Sequence, residues 1–257
     1  YEEAVQLLAD KGYTGDESRI ENLIDARRSL LWEFLKELGV EPEQLKMFRY
    51  DVDFHNLKAA VKSQVMAEPA EDFMMEFGNV PSGQIIRAVR ERDFESLPPE
   101  LRAAGRSALE VLLQTRDGQL CDMILDRAAL EATAAAGRAS DIPLAEAYAQ
   151  LKVALTDIKI AVRCCLTEKP ADFILRALAD CDGLDKGALA LAAAKELEAV
   201  YAYLSYTAYA GAAEALKESM SAFEKWCDNM VMELIRPEKS KSFTLGPIIG
   251  YMLAVEN

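Results

Sequence analysis

The sequence predicts an all-α protein. Ala, Leu and Glu are abundant while Gly (13) and Pro (9) are sparse in 257 residues, a balance that suits helix interiors. Apolar residues recur at i, i+3, i+4 and i+7 through much of the chain, and no run of alternating β-branched residues interrupts them.

The clearest helix is expected over 16–38. Ile20, Leu23, Ile24, Leu31, Phe34, Leu35 and Leu38 would form one apolar stripe, and Asp16, Glu17 and Ser18 supply acceptors at its start. A second helical stretch follows over 41–66, with Pro42 suited to a first turn. Further helices are expected over 69–77, 82–92, 98–114, 118–135, 142–166, 170–179, 186–210 and 212–235, and from Pro247 onward. Gly78-Asn79-Val80-Pro81, Asp117-Gly118, Gly137 to Asp141, Asp182-Gly183 and Arg236-Pro237 punctuate them.

The chain also repeats itself. At an offset of 101, Glu21 and Leu23-Ile24-Asp25 fall on Asp122 and Ile124-Leu125-Asp126. Leu57-Lys58 falls on Ile158-Lys159, Ala60-Val61-Lys62 on Ala161-Val162-Arg163, and Pro69-Ala70-Glu71 on Pro170-Ala171-Asp172. A third copy of the acidic motif, Glu224-Lys225-Trp226-Cys227-Asp228, stands 102 further on. We therefore expect three structurally similar helical repeats of about 100 residues: 1–100, 101–202, and a third over 203–257 that is cut short. Three such units suggest a pseudo-threefold arrangement around a funnel. Both termini read as cut from a longer protein.

Charge removes several functions. The balance of 29 basic and 43 acidic residues leaves −14. Such a surface repels phosphate backbones and anionic lipid, so neither nucleic-acid binding nor a polybasic anchor is expected. No apolar run reaches the roughly 20 residues of a spanning helix, so no direct membrane insertion is expected. Five cysteines without a C-x-x-C pair, and the lone histidine His55, offer no zinc set and fit reduced cytosolic thiols. The paired acids (Glu21/Asp25, Asp122/Asp126, Glu224/Asp228) lack the Glu-x-x-His partners of a di-metal bundle. No phosphate-binding glycine loop and no nucleophile elbow is present. Neither a catalytic residue, a metal site nor a cofactor is expected.

Lys58 and Lys62 are four apart and share a helical face, as do Lys159 and Arg163. In an acidic chain such a pair meets either the repeated acids (Asp25, Asp126) or a partner. His55 suits a structural or partner-facing role better than a catalytic one. Trp32 and Trp226 read as packing residues.

Asp53-Phe54-His55-Asn56-Leu57-Lys58 closely resembles a signature of the V-type ATPase C/d subunit family. So does Leu245-Gly246-Pro247-Ile248-Ile249-Gly250-Tyr251-Met252-Leu253-Ala254-Val255-Glu256, which in that family leads into a third copy of the signature. The opening, with Leu7-Leu8 and Gly12-Tyr13, is similar to another segment of the family. In the middle copy, Asp157-Ile158-Lys159-Ile160 departs from Asn-Leu-Lys. The resemblance implies a non-catalytic, cytoplasmic subunit, peripheral on the membrane through protein partners. It would couple the central stalk of a rotary ATPase to the membrane proteolipid ring during proton or sodium transport. It also implies partner-binding candidates: Asp53, His55, Asn56, Lys58 and Lys62, then Lys159, Arg163, Tyr251 and Glu256. The rival readings are a generic helical-repeat scaffold, whose period would be shorter, and an all-helical enzyme, which would need a cofactor motif or metal cluster.

Overall fold

A computed structural model describes residues 2–13, 20–66 and 68–256. Among these the secondary structure is helical, apart from one isolated bridge between Cys181 and Leu184. No helix among them is long and apolar enough to cross a membrane. The expected helix start at Asp16, Glu17 and Ser18 lies outside the described residues, as do the side chains of Glu21, Asp25 and Glu256.

The chain divides into two compact units, Leu45–Cys227 and Tyr1–Gln44 with Asp228–Asn257. The larger one begins at Leu45, within a 3-10 turn (Pro42–Arg49) that leads into helix α3 (Tyr50–Lys62); the helices before it are α1 (Glu2–Asp10) and α2 (Ile20–Glu37). There follow α4 (Ser82–Glu91), α5 (Pro99–Thr115), α6 (Gly118–Ala139), α7 (Pro143–Leu166) and α8 (Ala171–Ala177). Then come α9 (Lys186–Ala193), α10 (Leu197–Leu204) and α11 (Ala210–Glu218), and α12 (Met220–Ile235) begins. One side of α3 is fully sequestered: Phe54, Leu57, Ala60 and Val61 pack among Ile85 and Val89 of α4, Leu101 and Leu112 of α5, and Leu125 of α6. Burial of each of the larger side chains (Leu, Ile, Val, Phe) contributes about 1.5–3 kcal/mol. The residues matched at the 101 offset behave alike, since Ile158, Ala161 and Val162 on α7 are also buried.

Several predicted elements differ. The stretch 69–77 is helical only as a 3-10 turn, Ala70–Phe73. Beyond it the chain is irregular, extended at Met74 and left-handed at Phe77, because buried side chains of α3 capture its backbone groups before a helix can use them. Gly137 does not stop a helix, for α6 runs on to Ala139. A Cβ there would stand 2.5 Å from the Ala149 Cβ of α7, so glycine serves close helix packing rather than a turn. Gly137→Ala should therefore lower the melting temperature. The clash costs about 1–3 kcal/mol against a propensity gain of about 1 kcal/mol; an unchanged or raised melting temperature would refute the packing argument. The stretch 186–210 breaks at Glu196, and 212–235 breaks at Ser219, both in extended backbone. The Ser219 Oγ accepts the Ala222 N–H at 3.0 Å, which caps α12.

The smaller unit holds α1, α2, the end of α12, a 3-10 turn (Arg236–Ser240) and α13 (Gly246–Glu256). Its buried residues include Leu23, Leu31, Leu35, Ile235, Ile249, Met252 and Leu253. The apolar stripe expected on α2 is narrower than predicted. Phe34 and Leu38 are exposed, and so is Leu30.

Candidate functional site

The signature string occupies the middle of α3, and the helix divides its side chains by purpose. Asp53 and Asn56 point inward and are buried; His55 lies at the surface. The Asn56 Nδ2 donates to the Met75 carbonyl (2.9 Å), and its Oδ1 accepts the Met75 N–H (2.7 Å). Asp53 Oδ1 accepts the Val80 N–H (3.0 Å), and Oδ2 accepts from Asn79 Nδ2 (2.6 Å). Asn79 Nδ2 also donates to the Lys46 carbonyl (2.9 Å). His55 Nε2 lies 2.9 Å from the Phe73 carbonyl, the geometry of a donated bond. Three side chains of the motif thus hold the backbone of 73–80. Burial pushes the Asp53 carboxyl up, against the bonds from Val80 and Asn79 and the charge of Arg49.

Gly78 makes this clamp possible. A Cβ there would lie 2.5 Å from Asp53 Oδ1. Phe77 before it takes a left-handed backbone (φ 68°), a costly conformation for a bulky side chain.

The basic pair of α3 is engaged within the chain. Lys58 meets Asp126 at 2.5 Å and Lys62 meets Asp122 at 2.7 Å, in antiparallel order across α3 and α6. The lysines of one repeated motif thus meet the acids of the next. On α7, Lys152 pairs with Asp51 of α3. Lys159 and Arg163 make no ion pair among the described residues, and Arg163 is exposed. A second polar anchor binds α3 to α5: Lys46 Nζ (2.7 Å) and the Tyr50 hydroxyl (3.0 Å) both donate to Glu100 Oε1. Burial alone would raise the Glu100 carboxyl, but those bonds and the Lys46 charge carry it below its ordinary value.

The middle copy has its own buried acid. Asp157 stands 101 after Asn56 and is buried to the same degree, 1% exposed. Its Oδ1 accepts the Ala179 N–H at 3.2 Å. Burial raises its carboxyl to about 7, helped by Asp180 and opposed by the Ala179 bond, Lys186 and Arg127.

Tyr251 belongs to the smaller unit. Its hydroxyl accepts from Arg27 Nη2 (2.5 Å) and Nε (2.9 Å), and the same guanidinium sits over the Tyr13 ring at 5.7 Å. Trp226 is half-buried, stacked on Phe223 and covered by Gly211. The five cysteines are free thiols. No group of three or more metal-ligating side chains occurs among the described residues.

The sequence reading groups Asp53, His55, Asn56, Lys58 and Lys62 as one partner-facing set. The structure brings them together on α3 but gives each an intramolecular bond. It places Lys159 and Arg163 on α7 and Tyr251 in the other unit. The residues held by the clamp, 73–80, are not among the sequence candidates, because 69–77 reads as helix. The signal present is Gly78-Asn79 with Pro81 close behind.

Fold and site together define an all-helical protein whose polar motif is used to hold backbone and to bridge helices. The chain belongs to the ATP synthase (C/AC39) subunit family, whose family model matches residues 1–257. It is also similar to the C subunit of the V-type sodium ATPase of Enterococcus hirae, with 23% identity over 253 residues, 95% of this chain and 76% of that protein.

Proposed function

We propose that the chain is the non-catalytic rotor-coupling subunit of a V/A-type rotary ATPase, joining the central stalk to the membrane proteolipid ring. The observation that carries this reading is membership of the C/AC39 family along the whole chain. The physical architecture is consistent with the task. A coupler must pass torque without yielding, and packed helices transmit strain with little compression. The ion pairs Lys58–Asp126 and Lys62–Asp122 brace α3 against α6, and Glu100 braces α3 against α5. The three-repeat arrangement around a pseudo-threefold axis is part of the same proposal. Attachment to the membrane would then be peripheral, through protein partners on the cytoplasmic side.

The partner-facing set is then His55, Lys58 and Lys62, with Lys159, Arg163, Tyr251 and Glu256; Asp53 and Asn56, expected from the sequence to face a partner, are buried and act only through the backbone they hold. Capture of purified stalk and ring subcomplexes by the full-length protein tests the function, and a charge swap tests the lysines. Lys58→Asp with Asp126→Lys restores the ion pair in reverse. If Lys58 serves a partner, the swap should weaken capture at least tenfold while the melting temperature stays near wild type. If it only braces α3, capture should survive the swap. Failure to capture either subcomplex would end the coupling reading.

A further inference from the structure

The stretch from Met66 to Phe77 carries an unusual surface. Met66, Phe73, Met75 and Phe77 are each 45–49% exposed, whereas Phe54, Leu57 and Val61 of the adjacent α3 are at most 3% exposed. Large apolar side chains left exposed together in one short segment, rather than scattered singly, point to an interaction site. These are also held in place. The Met75 backbone is bonded twice by Asn56, the Phe73 carbonyl once by His55, and the chain beyond Phe77 by Asp53. Phe77 keeps its costly left-handed backbone while nearly half of it stays exposed. Strain retained for so little burial points to a use for the exposed part of the ring.

A cleft of about 210 Å³ adjoins this ledge, with His55, Ala59, Met66 and Phe73 in its lining. Its size suits one apolar anchor residue, and methionine adapts to varied shapes. The rim is acidic. Glu68, Asp72 and Glu76 are exposed and form no ion pair among the described residues, while Glu71 is bridged by Arg90 (3.2 Å). The two lysines at the cleft, Lys58 and Lys62, are already offset by Asp126 and Asp122. Arg87 and Glu91 line a neighbouring cavity with Glu76 and cancel in formal charge, so Glu68, Asp72 and Glu76 leave the ledge negative and a complementary surface is basic.

We propose that Phe73, Met75 and Phe77, with the cleft beside His55, are a docking ledge for a cationic amphipathic helix of a partner protein, a proposal that rests on the coupling reading. The partner helix lays one apolar anchor in the cleft and its lysines or arginines along Glu68, Asp72 and Glu76. Asp53, His55 and Asn56 are then positioning residues, acting through the backbone they hold.

The test uses the full-length protein and separately purified stalk and ring subcomplexes. One variant combines Phe73→Ser, Met75→Ser and Phe77→Asn; asparagine is chosen because it tolerates the left-handed backbone. A second combines Glu68→Lys, Asp72→Lys and Glu76→Lys. The expected result is at least a tenfold loss of capture by the first, with helical signal and melting temperature unchanged. The second should also bind at least tenfold more weakly, and its binding should no longer fall as salt rises. If wild type captures a subcomplex and both variants capture it equally well, the ledge is overturned and the coupling reading stands. If only the apolar variant fails, the cationic character of the partner is overturned. If wild type captures neither subcomplex, the coupling reading falls and the ledge with it.

Discussion

Asp157→Asn is expected to raise the melting temperature by roughly 5–10 °C at pH 8 and to leave it unchanged near pH 4. Asp157 is 1% exposed, and burial raises its carboxyl from 3.8 to about 7. The unfolded chain ionises near the lower value and the folded chain near the upper one. Between those values the native state therefore holds the extra proton. The stability contributed by neutral Asp157 is complete below about pH 4 and is lost as pH rises through 7. At about 1.4 kcal/mol per unit, the whole shift amounts to an upper figure of about 4 kcal/mol. The amide of the variant never ionises, so this loss disappears. Its Oδ1 keeps an acceptor for the Ala179 N–H. Arg127 and Lys186 favour the charged form and Asp180 opposes it, while the Cys181 thiol lies close enough to feel the charge. Thermal melts of wild type and variant from pH 4 to pH 8 decide the matter. Parallel curves across that range would show that Asp157 is not held neutral.

The reciprocal change, Asn56→Asp, should destabilise. Asn56 satisfies both backbone groups of Met75, donating to the carbonyl and accepting from the amide. A carboxylate retains only the second role. It leaves the Met75 carbonyl without its donor and sets a buried negative charge against it, at a cost of roughly 2–4 kcal/mol at pH 7. At pH 4 the protonated carboxyl can donate again, so much of the loss should return. Limited proteolysis reports the same event locally, because release of Met75 frees the chain between Phe73 and Val80. Equal resistance of wild type and variant to cleavage there would mean that Asp53 and His55 hold the segment alone.

These two substitutions exploit one accident of the repeat, in which asparagine and aspartate occupy matched, equally buried positions. The sequence by itself determined that match. It also determined the helical class, since the 3.6-residue period and the scarcity of Gly and Pro leave no competing element. The paired spacing of Lys58/Lys62 and Asp122/Asp126 was legible too, because residues four apart share a helical face. Partner choice was not: Lys58 meets the Asp126 carboxylate, and only the packing of α3 on α6 selects it. The fate of 69–81 was likewise a tertiary decision. Local propensity favours helix through Phe77, but the bonds from Asn56 and Asp53 belong to a helix some twenty residues away and override it. Gly137 makes the same point from the other side. As a letter it signals a turn, and only the approach of Ala149 to 2.5 Å of its missing Cβ reveals a contact between helices. Periodicity is local and survives in a linear string; which side chain reaches which backbone depends on closures across the chain, and these exist only once the helices have packed.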